Sequence, residues 1–296
     1  MWKRVGWIDV PAQRPDWWRS HAAFPTVVSQ SGNSIKLIVS ARDVNQRSSA
    51  AVMDLAVNGE AVALLNIGDR PWLTPGLPGT FDEAGVNVTF CSTEDDGLVA
   101  WYHGWALRSD GGWWNSIGTA KGDPTSGLTR VSAAPTFDRS SEDPTSLGYP
   151  FWYDFPWGKC LLYCTYETYG VPSRHENYSY RVKYSPGLGL TRSSPLLPHL
   201  GVNQAQSRPT VVRIGNVYRM FLSLKGERYH IACAESLDGI QWRWSADEWS
   251  LFPLGSGGEV NEVAYSYVFW QEDRLTMLYN GDGHGATGIG VAVWND

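Results

Sequence analysis

Charged and polar side chains precede several apolar segments that recur along this chain at intervals of about sixty residues. They are His21, Asp82, Glu83, Glu142, Asp143, Gln206, Arg208, Glu259, Asn261 and Glu262. Two carboxyl groups beside a glycosidic bond can cleave it, because one protonates the leaving oxygen while the other activates water or attacks carbon. These residues therefore predict glycosidic-bond chemistry, provided that the fold brings them to one place.

The elements that would position these residues are the strands of a long repeat. Five segments follow one pattern when Pro25, Asn87, Pro150, Pro209 and Ser266 are taken as equivalent, and the steps between them are 62, 63, 59 and 57 residues. The segments are HAAFPTVV, DEAGVNVTF, SLGYPFWYD, QSRPTVVRI and VAYSYVFW. A period of this length, with several strands in each unit and few helical signals, is typical of a β-propeller.

The repeat predicts an all-β fold in which residues 1–296 form a single five-bladed β-propeller domain. β-Branched and aromatic residues dominate the predicted strands, and Gly, Asp, Asn and Pro mark their boundaries. The first predicted strand, WKRVGWIDV, precedes the first unit, and we expect it to form the outer strand of the fifth blade. That pairing would close the ring and cover the strand edge that an open propeller would expose.

In a propeller the inner strands line a central channel and their entry loops form a funnel, so that residues distant in sequence converge. The predicted catalytic residues are Asp82, Glu262 and Asp43, the last of which ends the second strand LIVSARD. The predicted substrate-binding residues are His21, Arg42, Glu83, Trp105, Glu142, Asp143, Arg208, Glu259 and Tyr265. An arginine suits a substrate carboxylate or phosphate, and an aromatic ring suits the apolar face of a sugar.

Each of these candidates also has a purely structural interpretation. Asp82 could cap a turn beside Gly85, and Arg208 could pair with a neighbouring acid for stability. The 16 Trp residues suit the packing of blade against blade as well as they suit sugar binding. Composition alone leaves these alternatives open.

Composition does exclude several kinds of partner. The net charge of −6 and the absence of any Lys/Arg run argue against nucleic acid or an anionic membrane as the main partner. The sequence shows no apolar stretch long enough to span a bilayer, and its N-terminal segment lacks the apolar core of a secretory signal. We therefore expect a cytoplasmic protein with four reduced cysteines, whose partner is a small molecule.

Neither a cofactor motif nor a metal motif is visible. The Gly-rich segment NGDGHGATGIG leads from one predicted strand into another and lacks the helix that a phosphate-binding loop needs. Cys160 and Cys164 would lie about 13 Å apart on one strand, which is too far for a disulfide and outside the spacing of zinc sites. We expect no cofactor, and no ligand spacing in the sequence demands a metal ion, although the propeller axis leaves room for one.

Several motifs together resemble a known set of proteins. The motifs DWWRSHAAFPTVV, LIVSARD, GTFDEAGV, SRPTVV, AESLDGIQW and LYNGDGHGATGIGVAV occur in this order over nearly the whole chain. They resemble bacterial cytoplasmic five-bladed propellers related to glycoside hydrolase families 32, 43 and 130, which are often associated with surface-polysaccharide biosynthesis. The resemblance implies a sugar-related ligand in the funnel, with Asp43, Asp82, Arg208 and Glu262 as site residues.

The chain departs from the glycosidase pattern at its first inner strand, where Ala23 and Phe24 stand in place of the expected acid. Three functions therefore stay open. The first is a glycoside-hydrolase-like enzyme that acts on a glycoside or an activated sugar with a carboxylate pair. The second is a propeller repurposed for a cyclisation or an elimination on a specialised metabolite in an aromatic pocket. The third is a non-catalytic carbohydrate-binding protein.

Overall fold

The computed structural model describes residues 1–95, 97–109, 111–168, 179–188, 191–200 and 204–295. Within these ranges the strands are β1 (Trp2–Asp9), β2 (Ser20–Ser31), β3 (Ser34–Arg42), β4 (Ser48–Val57), β5 (Val62–Ile67), β6 (Gly85–Glu94), β7 (Gly97–Leu107), β8 (Trp113–Asp123), β9 (Gly127–Arg130), β10 (Leu147–Phe155), β11 (Gly158–Thr168), β12 (Ser179–Pro186), β13 (Ala205–Ile214), β14 (Val217–Lys225), β15 (Tyr229–Ser236), β16 (Arg243–Trp244), β17 (Ala264–Gln271), β18 (Arg274–Asn280) and β19 (Gly288–Trp294). A 3-10 turn at Asp247–Trp249 and the short helical turn α1 (Asp282–Gly285) are the helical pieces of the described chain.

The strands fall into five successive antiparallel units, which we call blades one to five from the first repeat onward. Blade one is β2–β5, blade two β6–β9, blade three β10–β12, blade four β13–β16, and blade five β17–β19 with β1. In blade three, the backbone N–H groups of Ser193 and Leu196 donate to carbonyls of β12, so that this segment extends the blade beyond β12. The prediction of an all-β propeller is confirmed.

The N-terminal strand closes the ring as predicted. β1 pairs antiparallel with β19 over a register that runs from Trp2–Trp294 to Asp9–Gly288. The outer strand of blade five therefore comes from the start of the chain and its three other strands from the end. This exchange links the first and last parts of the chain by a ladder of backbone hydrogen bonds.

Short turns join each inner strand to the second strand of its blade. Gly32 and Gly215 open the two-residue turns β2–β3 and β13–β14 with φ of 54° and 59°. A residue with positive φ is needed in turns of this length, and glycine adopts it without a steric cost. The opposite ends of the inner strands, where the candidate polar residues lie, are joined to the preceding blades by longer connections.

Aromatic residues fill much of the space between blades. Trp101 of blade two meets Trp152 of blade three edge to face, with ring centroids 5.2 Å apart, and Trp2 meets Phe221 in the same way at 5.5 Å. Such pairs contribute packing energy beyond the area they bury. These tryptophans are therefore structural. Within the described ranges no helix has the length and apolar character needed to cross a membrane.

Candidate functional site

Four of the five inner strands carry a bulge at the repeat position identified in the sequence. Phe24, Tyr149, Arg208 and Tyr265 have φ of 56°, 56°, 53° and 55°, and each stands directly before Pro25, Pro150, Pro209 or Ser266. The strand register shifts at the same points. A bulge interrupts the regular alternation of side chains and aims one of them in a new direction.

The ring of blades holds these bulges in place. The Phe24 N–H donates to Asn280 Oδ1 at 2.8 Å, and the Tyr265 N–H donates to Ser223 Oγ at 2.7 Å. Each acceptor lies on the second strand of the preceding blade in the ring. Bulky residues with positive φ persist only where the surroundings support them, and here the neighbouring blade supplies that support.

Blade two departs from the predicted alignment. Its register shifts between Val88 and Phe90, two residues after Asn87, and the described residues of β6 show no positive φ. Val86 and Val88 flank the position, and a β-branched residue strongly disfavours positive φ. The inner strand of blade two therefore presents Asn87 where the other blades present a bulged residue.

The bulged rings and a histidine form a floor, which we call the aromatic floor: Phe24, Tyr149, Tyr265 and His103. The ring centroid of Phe24 lies 4.2 Å from that of Tyr265 and 5.8 Å from that of Tyr149, and His103 lies 4.6 Å from Tyr149. Burial raises the pKa of Tyr149 well above its usual value, and raises that of Tyr265 to about 12. Both phenols are therefore neutral donors at physiological pH.

A cavity of about 620 Å³ opens over the aromatic floor. Eight of the twenty described residues that line it are Phe, Tyr or Trp, and the carboxylates among these twenty are Glu227 and Glu262. The lining residues are Phe24, Arg42, Gln46, Ser48, Asn87, His103, Trp105, Trp113, Asn115, Tyr149, Tyr166, Tyr180, Lys225, Glu227, Arg228, Tyr229, Asn261, Glu262, Tyr265 and His284. A concave site with many rings and a few convergent polar groups is the usual form of a small-molecule site.

Neutral polar groups lie among the rings. Asn87 Nδ2 lies 2.9 Å from His103 Nε2, and the amide of Asn115 donates to the Tyr166 hydroxyl. Burial, with a smaller effect of the Arg208 charge, lowers the pKa of His103 to about 3, so the imidazole is neutral. His103 Nδ1 is buried and has no hydrogen-bond partner among the described residues.

Glu262 is a half-buried carboxylate of the cavity, with 16% of its side chain exposed. Its Oε1 accepts a hydrogen bond from the His284 N–H at 2.7 Å and lies 3.2 Å from His284 Nδ1. The Asp282 carboxylate accepts the N–H groups of Val260, Asn261 and Glu262, so it holds this segment against α1. Burial alone would raise the pKa of Glu262, but the His284 contacts outweigh it and hold that pKa below its usual value.

Arg208 packs against the aromatic floor but does not line the cavity. Its side chain is only 1% exposed, and its Cζ lies 5.5 Å from the Phe24 ring centroid. Nη2 donates to the Pro25 carbonyl at 2.6 Å and to Thr26 Oγ1 at 2.9 Å. Burial lowers its pKa to about 9. Arg208 thus joins the inner strands of blades one and four. The sequence predicted that it binds a substrate anion, but in the structure its Nη2 donates to protein atoms.

Asp82 also lies away from the cavity. It is fully buried, and its Oδ2 accepts from Tyr102 at 3.0 Å and pairs with Arg130 Nε at 2.6 Å. Its Oδ1 accepts from Thr80 at 3.0 Å. These contacts occupy both carboxylate oxygens, and we therefore leave Asp82 out of the proposed site.

Two further predicted residues repeat this arrangement, which we call the acid–tyrosine clasp. Asp143 accepts from Tyr163 at 2.8 Å and from Lys183 and Arg192 at 2.8 and 2.7 Å. Glu259 accepts from Tyr279 at 3.0 Å and pairs with Arg4 at 2.7 Å. Both acids are at most 4% exposed, and neither lines the cavity.

The remaining predicted acids cap local turns. Asp43 accepts the N–H groups of Asn45 and Arg47 at 2.8 and 2.9 Å, which closes the loop between β3 and β4. Glu83 accepts the Gly79 N–H at 2.6 Å. Glu142 is exposed. None of these three side chains lines the cavity.

The structure thus brings four of the predicted residues to one cavity: Arg42, Trp105, Glu262 and Tyr265. His21 stays just outside the lining, where burial and the charges of Arg42 and His284 lower its pKa to about 4. The sequence reasoning missed the rest of the aromatic floor, Phe24, Tyr149 and His103. Phe24 and Tyr149 could have been found, since both immediately precede a proline of the repeat. A search of the described residues finds no group of three or more His, Cys, Asp or Glu placed to hold a metal ion.

Comparison with known proteins gives one family relationship and one fold relationship. The chain matches no family model. It is 32% identical to uncharacterised proteins from two strains of Mycobacterium tuberculosis, over 99% of this chain and 98% of each relative.

Several solved structures are similar in fold. A glycoside hydrolase superposes with a TM-score of 0.71 at 14% identity, over 99% of this chain and 92% of that one. A thermostable family-43 glycoside hydrolase gives a TM-score of 0.66 at 14% identity, over 96% and 94% of the two chains. A GH43_1 enzyme from Xanthomonas citri, solved in complex with xylotriose, gives 0.59 at 12% identity, over 97% and 89%. The chain therefore has the fold of the family-43 glycoside hydrolases, and it belongs to the same protein family as the two mycobacterial proteins.

Proposed function

We propose that the cavity binds a carbohydrate and that the protein is a glycoside-hydrolase-like enzyme acting on a glycosidic bond. The observation that carries the proposal is the combination of the aromatic floor with one half-buried carboxylate, Glu262, in a single cavity. The fold is shared with glycoside hydrolases, one of which is complexed with xylotriose. A shared fold alone does not assign an activity, so the argument rests on the cavity.

The aromatic floor suits a sugar ring. Phe24 and Tyr265 both line the cavity and pack ring against ring, with centroids 4.2 Å apart and planes inclined by 35°. The axial hydrogens of a pyranose form an apolar face that packs on such rings. Asn87, His103 and Asn115 line the same cavity and supply neutral donors and acceptors for hydroxyl groups. His103 Nδ1, buried and unpartnered within the described chain, is a hydrogen-bonding group that a ligand hydroxyl would satisfy.

Glu262 is the group that we assign to the chemistry. Its depressed pKa keeps it ionised at neutral pH, so it suits a general base or a nucleophile rather than a proton donor. A carboxylate in this state also stabilises the positive charge that develops on the anomeric carbon as the glycosidic bond breaks. The Asp282 contacts hold the backbone of Glu262 in place.

A carboxylate pair needs a second member, and the cavity offers Glu227. This residue lies in the exposed turn between β14 and β15, beside Arg228. We propose Glu227 as the second carboxylate, because it is the other acid among the described residues that line the cavity. The pair proposed from the structure is therefore Glu262 with Glu227.

A second candidate function has support of its own. The abundance of rings in the cavity, and Phe24 where a glycosidase acid was expected, favour a non-hydrolytic reaction on an apolar metabolite. Non-catalytic carbohydrate binding is the third candidate. The three functions differ in which ligand binds and in whether that ligand is changed.

A ligand screen followed by product analysis tests the proposal. Thermal shift against neutral and charged sugars, oligosaccharides and apolar metabolites identifies the ligand, because a ligand at 100 times its Kd stabilises a fold by about 2.7 kcal/mol. The bound sugar is then incubated with the protein and with Glu262→Gln. Glu60→Gln is the control, since Glu60 is an exposed turn residue outside the cavity.

We expect cleavage by the native protein and by the control, and a rate at least about a hundredfold lower in Glu262→Gln. A sugar that binds and is recovered intact would favour the binding protein. Stabilisation by apolar metabolites alone would favour the repurposed propeller.

We also propose that residues 1–296 form one five-bladed propeller domain and that the protein works in the cytoplasm, in surface-polysaccharide biosynthesis. The pairing of β1 with β19 supports one domain, because unfolding of either end would release the other. The four buried cysteines are free thiols, which suits a reducing compartment. A single calorimetric transition and cell fractionation test these two points, and the surface polysaccharide of a deletion strain tests the third.

A further inference from the structure

The wall of the cavity contains a half-buried arginine with no acidic partner. Arg42 ends β3 and lines the cavity, and no carboxylate of a described residue lies within ion-pair distance of its guanidinium. Three other arginines of the blades differ from it. Arg130, Arg192 and Arg4 each pair with an acid at 2.6 to 2.7 Å in an acid–tyrosine clasp.

From this contrast we propose that the carbohydrate taken by the cavity carries an anionic substituent, a carboxylate or a phosphate ester, and that Arg42 binds it. The inference rests on the proposed carbohydrate site and names its substrate class. A guanidinium presents parallel N–H donors that match the oxygens of either anion, and such bidentate pairs are stronger than neutral hydrogen bonds.

The charge of the cavity supports an anionic ligand. The described lining residues include the cations Arg42, Lys225 and Arg228 and the carboxylates Glu227 and Glu262. Glu262 is already engaged by His284. A local positive charge in a low-dielectric cleft attracts anions and raises their rate of encounter.

The position of Arg42 allows one ligand to use both the floor and the guanidinium. Tyr265 belongs to the aromatic floor, and the charges of Glu262 and Arg42 both act on the pKa of its phenol, so all three line one part of the cavity. Burial lowers the pKa of Arg42, which shows that this side chain has given up part of its hydration without gaining a carboxylate. An anionic substituent would restore the lost stabilisation of the charge. The anion would then lie at the edge of the floor, with the sugar ring over Phe24 and Tyr265.

Affinities of matched sugars test the proposal. Calorimetry gives the Kd of each hexose of a panel in three forms: the neutral sugar, its uronic acid and its 6-phosphate. The proteins compared are the native chain, Arg42→Gln and the control Arg243→Gln. Arg243 is suited to the control because its side chain is 81% exposed and pairs with Glu235 outside the cavity.

We expect one anionic form to bind the native chain at least about tenfold more tightly than the neutral sugar. Arg42→Gln should abolish that preference and leave the Kd of the neutral sugar within about twofold, whereas Arg243→Gln should change neither. The arm that gains affinity, uronate or phosphate ester, identifies the anion. Equal affinity for the neutral and anionic forms would overturn the proposal, and so would an equal loss of both in Arg42→Gln. If no sugar of any charge binds, the proposed function itself fails, which is a different result from neutral sugars binding alone.

Discussion

Asp82 accepts a hydrogen bond at 3.0 Å from the hydroxyl of Tyr102, which follows it by twenty residues in the chain. The same separation of twenty residues joins Asp143 to Tyr163 and Glu259 to Tyr279. Each tyrosine lies on the second strand of its blade, and each acid lies on the connection that enters the inner strand. The clasp therefore ties the connection that enters each inner strand to the second strand of the same blade. Its repetition in three blades shows that these acids belong to the architecture of the propeller.

Removing the Asp82 charge should lower the free energy of unfolding and leave ligand binding in the cavity unchanged. Asp82→Asn breaks a buried ion pair with Arg130, whose side chain is 21% exposed, and we expect a loss of roughly 2–4 kcal/mol in the free energy of unfolding. The control is Asp54→Asn, because the Asp54–Lys36 pair has a similar distance of 2.6 Å but side chains 23% and 29% exposed. That pair should contribute less than about 1 kcal/mol.

Urea denaturation at constant m-value measures both changes, and ligand affinity is measured on the same proteins. We expect the affinity of Asp82→Asn to match that of the native chain. An Asp82→Asn protein with native stability and abolished activity would show that Asp82 is catalytic after all.

The left-handed conformation of Phe24 predicts an unequal effect of two isomeric side chains. Phe24→Leu and Phe24→Ile remove the same ring and introduce side chains of equal volume. Positive φ is far less favourable for a β-branched residue, so Phe24→Ile should be the less stable variant by about 1 kcal/mol. Thermal or urea unfolding measures the difference directly. Equal stabilities would mean that the bulge relaxes when its ring is lost.

The buried imidazole of His103 predicts a loss of stability in mild acid. Its folded-state pKa is about 3 against an ordinary value of 6.5, so the unfolded chain binds a proton first as the pH falls. The stabilisation is complete above pH 6.5 and is lost progressively between pH 6.5 and pH 3. At pH 5 the loss from this one group should reach about 2 kcal/mol.

Comparison of the native chain with His103→Gln isolates this effect. Glutamine cannot take up a proton, so the variant should show a shallower decline of unfolding free energy between about pH 7 and pH 5. His21, whose pKa is lowered to about 4, should contribute a similar slope in both proteins, and His21→Gln removes that part. Parallel pH profiles for the native chain and His103→Gln would contradict the assignment of His103 as a buried neutral group.

The contact between His284 and Glu262 predicts a shift in the pH dependence of binding. His284→Asn keeps the backbone N–H and suits the φ of 57°, but it removes the side chain that lies 3.2 Å from Glu262. Burial then dominates, and the pKa of Glu262 should rise. If binding or turnover requires the ionised Glu262 carboxylate, the acid limb of its pH profile, where activity or affinity falls with falling pH, should move to higher pH.

The control for this shift is His230→Asn. His230 stacks on Phe252 and does not line the cavity, so its replacement should leave the acid limb unchanged. An acid limb that stays in place in His284→Asn would show that His284 does not set the ionisation of Glu262.

The architecture of this protein was largely readable from its sequence. The spacing of the repeat, the alternation within strands and the N-terminal strand predicted a propeller closed by its first strand, and the pairing of β1 with β19 confirms it. These features can be predicted because strand formation and turn formation depend on residues that are neighbours in the sequence. The sequence also supplied Arg42, Trp105, Glu262 and Tyr265 as candidates that the structure brings to one cavity.

The tertiary structure alone decided which polar residues meet in that cavity. Asp82 and Glu262 both precede inner strands. Asp82 pairs with Arg130, forty-eight residues later, whereas Glu262 contacts His284 and lines the cavity. The direction of Phe24 depends on one positive φ, which is held by a hydrogen bond that the Phe24 N–H donates to Asn280 Oδ1 near the other end of the chain. Local patterns do not encode such partners, because charge pairing and bulge geometry are settled only when the ring of blades closes and each side chain meets its neighbour.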